Sequence, residues 1–521
     1  MNGSAARLRA VIAADLRVRF RRVSTLVVFL LLSATAYVWV PAPASGSTLL
    51  VLQGKRALLN SAAIAVGTAS LATIFIGLAG FYVVSNAIRR DVTSRCGFVI
   101  ASTTMRGTEY LFGKFAGNVI FLTTFMAGFM VSSMAMLLVR GEAPLEPLVF
   151  IWQYLLLVPP TITFVSGVAI FFEAVPFLSG KFGDVAYFFL WALSLGVVAA
   201  MTGKTGGPGI AGYFDFTGFG FLLDSLRSTT HALEVSIGRT NFDASKGLFV
   251  FNGLQLSRAW IMPRIVAMIA PAALVVLARP FFHRFDPARV KQSAQKSGRN
   301  WLNRFGALAK PLAGAAWIFA PGGGDSLIAA SRTDALMTIT AMPITVVATI
   351  ALAIASIAGT PQKVMPIALA AAAVLISDVS SREKRAGTTG LVFTAPRLKA
   401  RFVWWKLISS AMTALIILSV PVIRLIVARP SAMPYLFVGI AFIVAFATML
   451  GIVSANPKTF LVLFLTFWYV VVNDGGHTPA LDFAGVSGIA TPAVLAAYLT
   501  LALAAIAAAE VFHRADLRRN W

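Results

Sequence analysis

Long apolar stretches recur along the whole chain, and they constrain its fold more than any other feature. A helix of about 20 residues is what crosses roughly 30 Å of hydrocarbon. Hydrophobic residues make up 58% of the 521 residues, while charged residues make up 12%, about half of the usual share in soluble domains. The chain is therefore predicted to be an all-α polytopic membrane protein.

The apolar stretches predict about twelve transmembrane helices. Their starts lie near Val23, Ala62, Phe115, Leu148, Phe182, Ile261, Leu336, Val364, Leu407, Pro434, Leu461 and Thr491. An even number of spans places both termini on one side, and the segments assigned to the inner side hold about 32 of the basic residues against about 11 outside. Both termini are therefore predicted to face the cytoplasm, as expected for a bacterial inner-membrane protein.

The first apolar stretch allows two interpretations. Its basic flank and the Ala42–Ala44 site are typical of a cleaved signal peptide. The residues before it, however, line one helical face with Leu8, Val11, Leu16 and other apolar side chains. This pattern favours an uncleaved first span preceded by an interfacial helix.

The formal net charge of +24 does not indicate a nucleic-acid partner. Most of the basic residues lie in predicted cytoplasmic segments, and the sequence carries no recognisable RNA- or DNA-binding motif.

The chain has one cysteine, Cys96, which excludes an intrachain disulfide. The four histidines are scattered without the spacing of a helical metal site, so no metal ligand or other cofactor is assigned to the chain.

Two charged stretches interrupt the apolar pattern at similar places. Residues 88–114 read IRRDVTSRCGFVIASTTMRGTEYLFGK, and residues 378–406 read DVSSREKRAGTTGLVFTAPRLKARFVWWK. A shift of 406 − 114 = 292 positions superimposes Lys114 on Lys406 and also the acidic residue of each stretch, Asp91 on Glu383. We call this displacement the repeat shift. The chain is therefore predicted to contain two parallel six-span halves.

The predicted boundaries are 1–278 for the first half, 279–324 for a basic cytoplasmic linker and 325–521 for the second half. The segment before the first span also resembles a later segment: VIAAD at Val11 is similar to LIAAS at Leu327. We therefore expect an interfacial helix in each half.

The acids Asp91 and Glu383 allow two interpretations. They could form surface ion pairs with their neighbours Arg90 and Arg382. They could instead anchor a short helix that a partner protein contacts.

These features together resemble the permease subunit of ABC-2 type exporters. Relatives in that family have an interfacial helix, six spans per half, and a loop after the second span with an acidic residue, a coupling helix, a Thr-Pro-like turn and a Gly-Lys pair. The resemblance implies ATPase-coupling roles for Arg90, Asp91, Thr103, Thr104, Arg382, Glu383, Thr394 and Pro396. Two departures, Met105 where proline is usual and Trp405 in place of the glycine seen at Gly113, indicate that the two halves are unequal.

The resemblance further implies a separate cytoplasmic ATPase, in two copies, that binds ATP and Mg²⁺ and drives export of a cargo. The chain itself is predicted not to be an enzyme. Its closest approach to a phosphate loop, GTEYLFGKF at Gly107, has the wrong spacing, and no catalytic residues are assigned. Membrane lipids are the other expected partners.

The long segment 201–260 is rich in phenylalanine and glycine around GYFDFTGFGF at Gly212. An aromatic belt at the headgroup level is one interpretation. The family resemblance implies another, a re-entrant pair of half-helices that closes the exit, with gate residues Phe214, Phe216, Phe219 and Phe221. A shorter counterpart is expected at 474–488.

Two other classes of function stay open. Secondary transporters of the major facilitator type also have twelve spans in two halves, but they use ionisable groups within their spans, and here only Arg264 and Arg424 lie near span ends. A membrane enzyme or assembly scaffold is the third class, and no intramembrane catalytic cluster supports it.

The predicted orientation is testable by cysteine labelling in a chain whose Cys96 is replaced by serine. We expect Gly207→Cys to react with an impermeant thiol reagent from outside the cell, and Ser297→Cys to react only after the membrane is permeabilised. The reverse pattern would overturn the orientation.

Overall fold

The computed structural model divides into two compact units, Met1–Ala294 and Gln295–Trp521. The division lies inside the predicted linker. The structure describes residues 2–21, 23–42, 46–180, 182–184, 186–191, 193–195, 207–230, 235–242, 244–283, 285, 326–341, 343–474, 476 and 478–520. Most of the predicted linker, residues 284 and 286–324, therefore lies outside the described residues.

Helices dominate the first unit. Their bounds are α1 Asn2–Phe20, α2 Val23–Trp39, α3 Ser61–Phe75, α4 Phe81–Val84, α5 Ala87–Thr93, α6 Cys96–Ser102, α7 Gly107–Arg140, α8 Pro147–Ala174, α9 Phe219–Thr230, α10 Arg258–Ile269 and α11 Pro271–Ala278. A π-helical turn, Ile76–Gly80, joins α3 to α4, and described residues between Phe182 and Leu195 are also helical. Helix α1 packs along α7, as expected for an interfacial helix lying against a span.

The first unit also contains a small β-sheet, which the sequence analysis does not predict. Its strands are β1 Ser47–Leu52, β2 Lys55–Ala57, β3 Val235–Asn241 and β4 Leu248–Phe249, in the order β3-β1-β2-β4. Strand β1 pairs antiparallel with β2 and β3, whereas β2 and β4 are parallel. The sheet packs closely on α3, because a Cβ added at Gly67 would lie 1.8 Å from the Leu49 side chain.

The described residues of the second unit form helices joined by turns. Its helices are α12 Leu327–Ala341, α13 Pro343–Ala358, α14 Pro361–Ile376, α15 Arg382–Ala386, α16 Thr389–Val392, α17 Pro396–Ala400, α18 Phe402–Ala428, α19 Met433–Ser454, α20 Pro457–Asp474 and α21 Pro492–Asn520. The last helix packs mainly on α19 and also contacts α18.

Seven helices among the described residues are long and apolar enough to cross a membrane, which indicates a membrane protein. They are Ser61–Thr93, Gly107–Arg140, Pro147–Ala174, Arg258–Phe281, Phe402–Ala428, Pro430–Ser454 and Pro492–Arg519. The other predicted spans coincide with shorter apolar helices, among them α14 and α20. The helical class is confirmed, and the count of twelve stays a prediction.

Candidate functional site

The two charged stretches fold into loops of the same design. In the first unit, α5 is followed by Arg95 in the left-handed region (φ 60°), then by α6 and the long helix α7. In the second unit, α15 is followed by Gly387 (φ 69°), then by short helices and α18. The repeat shift superimposes Arg95 on Gly387, so the turn occurs at the same point in both loops.

In the first unit, Lys114 lies between two buried carboxylates. Its Nζ is 2.9 Å from Asp15 Oδ1 on α1 and 2.8 Å from Asp91 Oδ2 on α5. Arg90 also contacts the Asp15 carboxylate, and Arg19 Nε lies 2.7 Å from Asp15 Oδ2. We call these five residues charge cluster 1. The cluster joins α1, α5 and α7.

Two uncharged side chains complete charge cluster 1. The Tyr110 hydroxyl donates to Asp91 Oδ2 at 2.7 Å, and Arg19 Nη2 donates to Asn118 Oδ1 at 2.6 Å.

Glu173 of α8 accepts hydrogen bonds from the backbone N–H groups of Ala87 and Ile88 at the start of α5. The carboxylate thus caps α5 and fixes the helix that carries Arg90 and Asp91.

The second unit builds a matching cluster. Lys406 Nζ lies 2.9 Å from Asp334 Oδ2 on α12 and also contacts the Glu383 carboxylate on α15. Arg382 contacts Asp334 Oδ1 at 3.2 Å and Asp378 Oδ1 at 3.3 Å. We call these five residues charge cluster 2. It joins α12, α15 and α18 as the first cluster joins α1, α5 and α7.

The two clusters correspond residue by residue within their loops. The repeat shift, 406 − 114 = 292, relates Arg90, Asp91 and Lys114 to their counterparts, whereas Asp15 and Asp334 differ by 334 − 15 = 319. The first unit therefore has an insertion of 319 − 292 = 27 positions between its first helix and its loop. Strands β1 and β2 lie in that interval.

The clusters correct the alignment of the two interfacial helices. Matching VIAAD with LIAAS would pair Asp15 with Ser331. Asp334, further along α12, is the residue that meets the lysine. Ser331 instead donates to the carbonyl oxygens of Leu327 and Trp405. The physical reason is that the buried ammonium group of Lys406 requires a carboxylate, which serine cannot supply.

The clusters differ in detail. Thr338 occupies the position of Arg19 in the second unit. The Thr338 hydroxyl oxygen accepts a hydrogen bond from Arg382 Nη2 at 3.1 Å. Gly113 lets Val11 of α1 approach closely, since an added Cβ would be 2.9 Å from its Cγ1. The corresponding residue, Trp405, is a buried ring whose centre is 3.9 Å from Lys406 Nζ. The two units are thus unequal, as the sequence indicates.

Charge cluster 1 keeps its central carboxylate ionised. Burial alone would raise the pKa of Asp15, but the positive charges of Arg19, Lys114 and Arg90 outweigh burial and lower that pKa. A carboxyl group with a lowered folded-state pKa contributes stability above its unfolded value, about pH 4, and loses it as the pH falls further. The cluster is therefore intact at neutral pH.

The predicted coupling residues fall into two groups. Arg90, Asp91, Arg382 and Glu383 belong to the clusters, and the two acids are each 8% exposed. The exposed threonines lie in the turns that follow the short helices: Thr103, Thr104 and Thr394. Pro396 is the first residue of α17.

An aromatic stack joins the last span of each unit to its loop. Phe282, which follows α11, stacks on Tyr110 with the ring centres 5.3 Å apart. His513 of α21 stacks on Phe402 at 5.2 Å and contacts the Lys399 carbonyl oxygen at 2.9 Å. The repeat shift superimposes Tyr110 on Phe402, so both loops receive a ring at the same position.

The phenylalanine-rich segment is anchored by polar groups. Pro160 of α8 has no N–H, which leaves the Leu156 carbonyl oxygen without its helical donor, and Arg264 donates to that oxygen at 2.5 Å. Arg264 also donates to the Asp215 carbonyl oxygen at 2.8 Å. Arg264 is buried, so these bonds to backbone oxygens satisfy a charge inside a predicted span.

The same turn occurs in the second unit. The sequence Asp-Phe-x-Gly is found at Asp215 and again at Asp482. Each aspartate accepts the N–H of the residue six positions later, Phe221 or Gly488, at 2.8 Å. Gly218 (φ +78°) supplies the left-handed residue in the first turn, and the fourth residue of the second turn is likewise left-handed.

The predicted gate residues do not share one environment. Phe221 is fully buried against Trp260, and Phe216 stacks on Phe164 with ring centres 4.5 Å apart. Phe219 begins α9, and Phe214 is 59% exposed. Between residues 207 and 230, which the structure describes, the segment forms a 3₁₀ turn, Ala211–Phe214, and a 12-residue helix, Phe219–Thr230. The expected pair of half-helices stays a prediction, because residues 201–206 and 231–234 lie outside the described residues.

Three acids that complete the clusters, Asp15, Asp334 and Asp378, are not among the residues predicted from the sequence to form a site, and Lys114 and Lys406 enter that prediction only as points of alignment. The sequence signal that could have identified them is a single acid within an otherwise basic or apolar interfacial helix.

Neither protein-family profiles, nor curated protein sequences, nor solved structures yield a match to this chain.

The central lysines are expected to be essential for stability. Lys114→Met or Lys406→Met removes the ammonium group that two buried carboxylates share, and breaking a buried ion pair in this way costs about 3–5 kcal/mol of the free energy of unfolding. The unfolding temperature of the purified protein measures this loss. As a control, Arg514→Gln removes an exposed pair with Glu510, worth about 0–1 kcal/mol. Equal stability of the lysine and control variants would contradict the assigned role.

The turn at Asp215 depends on Gly218. We expect Gly218→Ala to destabilise the protein by about 1–2 kcal/mol, because an L-residue is strained at that left-handed position. Its Cβ would also lie 3.1 Å from the Leu157 side chain. Gly207→Ala is the matched control, since an added Cβ there meets no atom within 4 Å. Unfolding temperatures of the two variants should differ, and equal values would refute the strain argument.

Proposed function

We propose that the chain is the membrane-spanning permease subunit of an ATP-driven exporter of the ABC-2 type, coupled to separate ATPase subunits. The observation that carries the proposal is the duplicated charge cluster at the base of each loop. A permease without its own ATPase needs two surfaces that receive force, each fixed rigidly to the membrane helices. The clusters supply that connection.

Each loop is attached to its unit at several points. In the first unit, Lys114 links α5 to α1 and α7, and Phe282 links α7 to the end of the last span. In the second unit, Lys406 and His513 make the matching links. Interior packing transmits displacement because it is dense and has low compressibility. A push on either loop would therefore move the first helix, the third span and the last span of that unit together.

Each loop also presents an exposed apolar tip at the same position. Val99 on α6 is 68% exposed, and its counterpart under the repeat shift, Leu391 on α16, is 75% exposed. Phe98, next to Val99, is 45% exposed. A partner's groove that accepts an apolar side chain would bury these residues.

The positions of the loop acids support the second interpretation given for them, in which they anchor a short helix that a partner protein contacts. Asp91 and Glu383 point into the clusters, so we assign them to fixing the loops, and the apolar tips to direct contact with the ATPase. The arginines Arg90 and Arg382 have the same fixing role. The exposed threonines, Thr103, Thr104 and Thr394, border the contact surface.

The wider proposal follows the ABC-2 arrangement. The chain would have two parallel six-span halves, with the cytoplasmic side of a bacterial inner membrane carrying both loops and both termini. Two copies of an ABC ATPase would hold ATP and Mg²⁺ and bind one loop each. The cargo passes through the permease. The turns at Asp215 and Asp482 would lie at the outer end, with Phe214 as the exposed gate residue.

A secondary transporter is less well supported. That mechanism needs ionisable groups in the spans that can exchange ions or protons. Buried ionisable side chains within the candidate spans include Lys114, Lys406 and Arg264. The two lysines are ion-paired in the charge clusters, and the Arg264 guanidinium group is held by backbone carbonyl oxygens of α8 and of the Asp215 turn.

The test is association with an ABC ATPase encoded beside this chain. We expect the purified permease alone not to hydrolyse ATP, and the two proteins to co-purify when expressed together. Val99→Asp and Leu391→Asp should weaken that association about ten-fold or more, because each places a charge in an apolar contact. The variants should keep the wild-type unfolding temperature, since both side chains are exposed.

Ile210→Asp is the matched control, because Ile210 is also an exposed apolar residue but lies in the predicted outer segment. It should leave ATPase association unchanged. ATP hydrolysis by the isolated chain, or failure of the wild-type chain to associate with the ATPase, would refute the proposed function. Wild-type association of the Val99 and Leu391 double variant would refute the apolar tips as the contact surface.

A further inference from the structure

The second unit carries a basic surface that the proposed function does not use. Arg397, Lys399 and Arg401 lie just before α18, and Arg518 and Arg519 lie in the last turn of α21. The four arginines are exposed, and Lys399 is half-buried. Because α18 begins where α21 ends, these cations lie at one end of two adjacent candidate spans.

Packing brings the two groups of cations together. His513 of α21 contacts the backbone oxygen of Lys399 at 2.9 Å. Leu398 and Leu517 pack against the same apolar cluster, which includes Phe402. The arginines that flank these two leucines therefore share one surface.

Basic residues outnumber acids on this surface. Residues 396–406 and 510–520 contain two acids, Glu510 and Asp516, against a larger number of arginines and lysines. Glu510 pairs with Arg514 at 3.3 Å, and Asp516 pairs with Lys384 at 2.7 Å. Two acids cannot balance the larger number of arginines and lysines, so the surface keeps a net positive charge.

Large apolar side chains border the cations. Trp404, in the first turn of α18, is 45% exposed, and Phe512 and Val511 of α21 are 37% and 70% exposed. Tryptophan is enriched where spans meet the headgroup region. Basic surfaces between the ends of membrane helices bind anionic lipid headgroups. We propose that this surface binds the phosphate headgroup of an anionic phospholipid.

The described loop of the first unit has no basic residue at the three positions that correspond to the loop cations of the second unit. The repeat shift places Arg397, Lys399 and Arg401 on Met105, Gly107 and Glu109, and Glu109 pairs with Arg7. A general preference for basic residues on one side of the membrane would act on both loops alike. The additional loop cations of the second unit, beside an exposed tryptophan, therefore favour a specific lipid site. The inference requires only a membrane setting and does not depend on ATPase coupling.

The test titrates the delipidated, detergent-solubilised protein with dioleoylphosphatidylglycerol and, separately, with dioleoylphosphatidylcholine. Native mass spectrometry counts the lipids that stay bound. We expect the wild type to retain phosphatidylglycerol preferentially, and the triple variant R401Q/R518Q/R519Q to bind it about ten-fold more weakly or worse, because each cation contributes separately. Size-exclusion profile and unfolding temperature should match the wild type.

The control variant K246Q/R258Q/K363Q removes the same number of charges from exposed residues elsewhere, and it should retain phosphatidylglycerol as the wild type does. Equal retention of the two lipids by the wild type would overturn the proposal. So would wild-type retention by the triple variant, or an equal loss in the control, which would show only a net-charge effect. These outcomes are unaffected by whether an ATPase binds the chain.

Discussion

A buried lysine held between two carboxylates is the interaction on which each unit depends. Taking such charges out of water is expensive, and only close opposite charges repay the cost. Lys114 and Lys406 can therefore exist where they are only if the first helix, the loop helix and the long span stay in register. Interactions of this kind are sensitive to position in a way that apolar packing is not, which makes the clusters suited to fixing a loop relative to a membrane helix.

The two units repeat this arrangement with unequal parts. Arg19 gives charge cluster 1 an extra cation, whereas Thr338 leaves Arg382 to bond a hydroxyl and a further acid, Asp378. The stacking ring is Phe282 in one unit and His513 in the other. If each loop receives force from an ATPase, the two loops would respond differently to the same push, because different groups connect them to their spans.

The opposite ends of the spans are fixed by backbone groups. The Asp-Phe-x-Gly turns use a carboxylate to cap nearby N–H groups, and the first turn is tied to α8 through Arg264. A proline that removes one helical hydrogen bond creates the acceptor that the arginine needs. The Arg264 guanidinium group also lies 3.8 Å from the buried Asp215 carboxylate, so backbone oxygens and a longer ion pair together compensate this buried charge.

The sequence by itself determined the helical class, the apolar helices and the inequality of the loops, because hydrophobic runs and the repeat shift can be read from the order of residues alone. It also indicated that Asp91 and Glu383 need a special explanation. Only the tertiary structure decided what they contact. Each loop acid shares its lysine with an acid on the first helix of its unit, Asp15 or Asp334. The separations along the chain are 91 − 15 = 76 positions in the first unit and 383 − 334 = 49 positions in the second. Because these separations differ, the pairing cannot be read from a sequence period. The small sheet was also missed, since its strands are short and come from distant parts of the chain, so only their long-range pairing defines them.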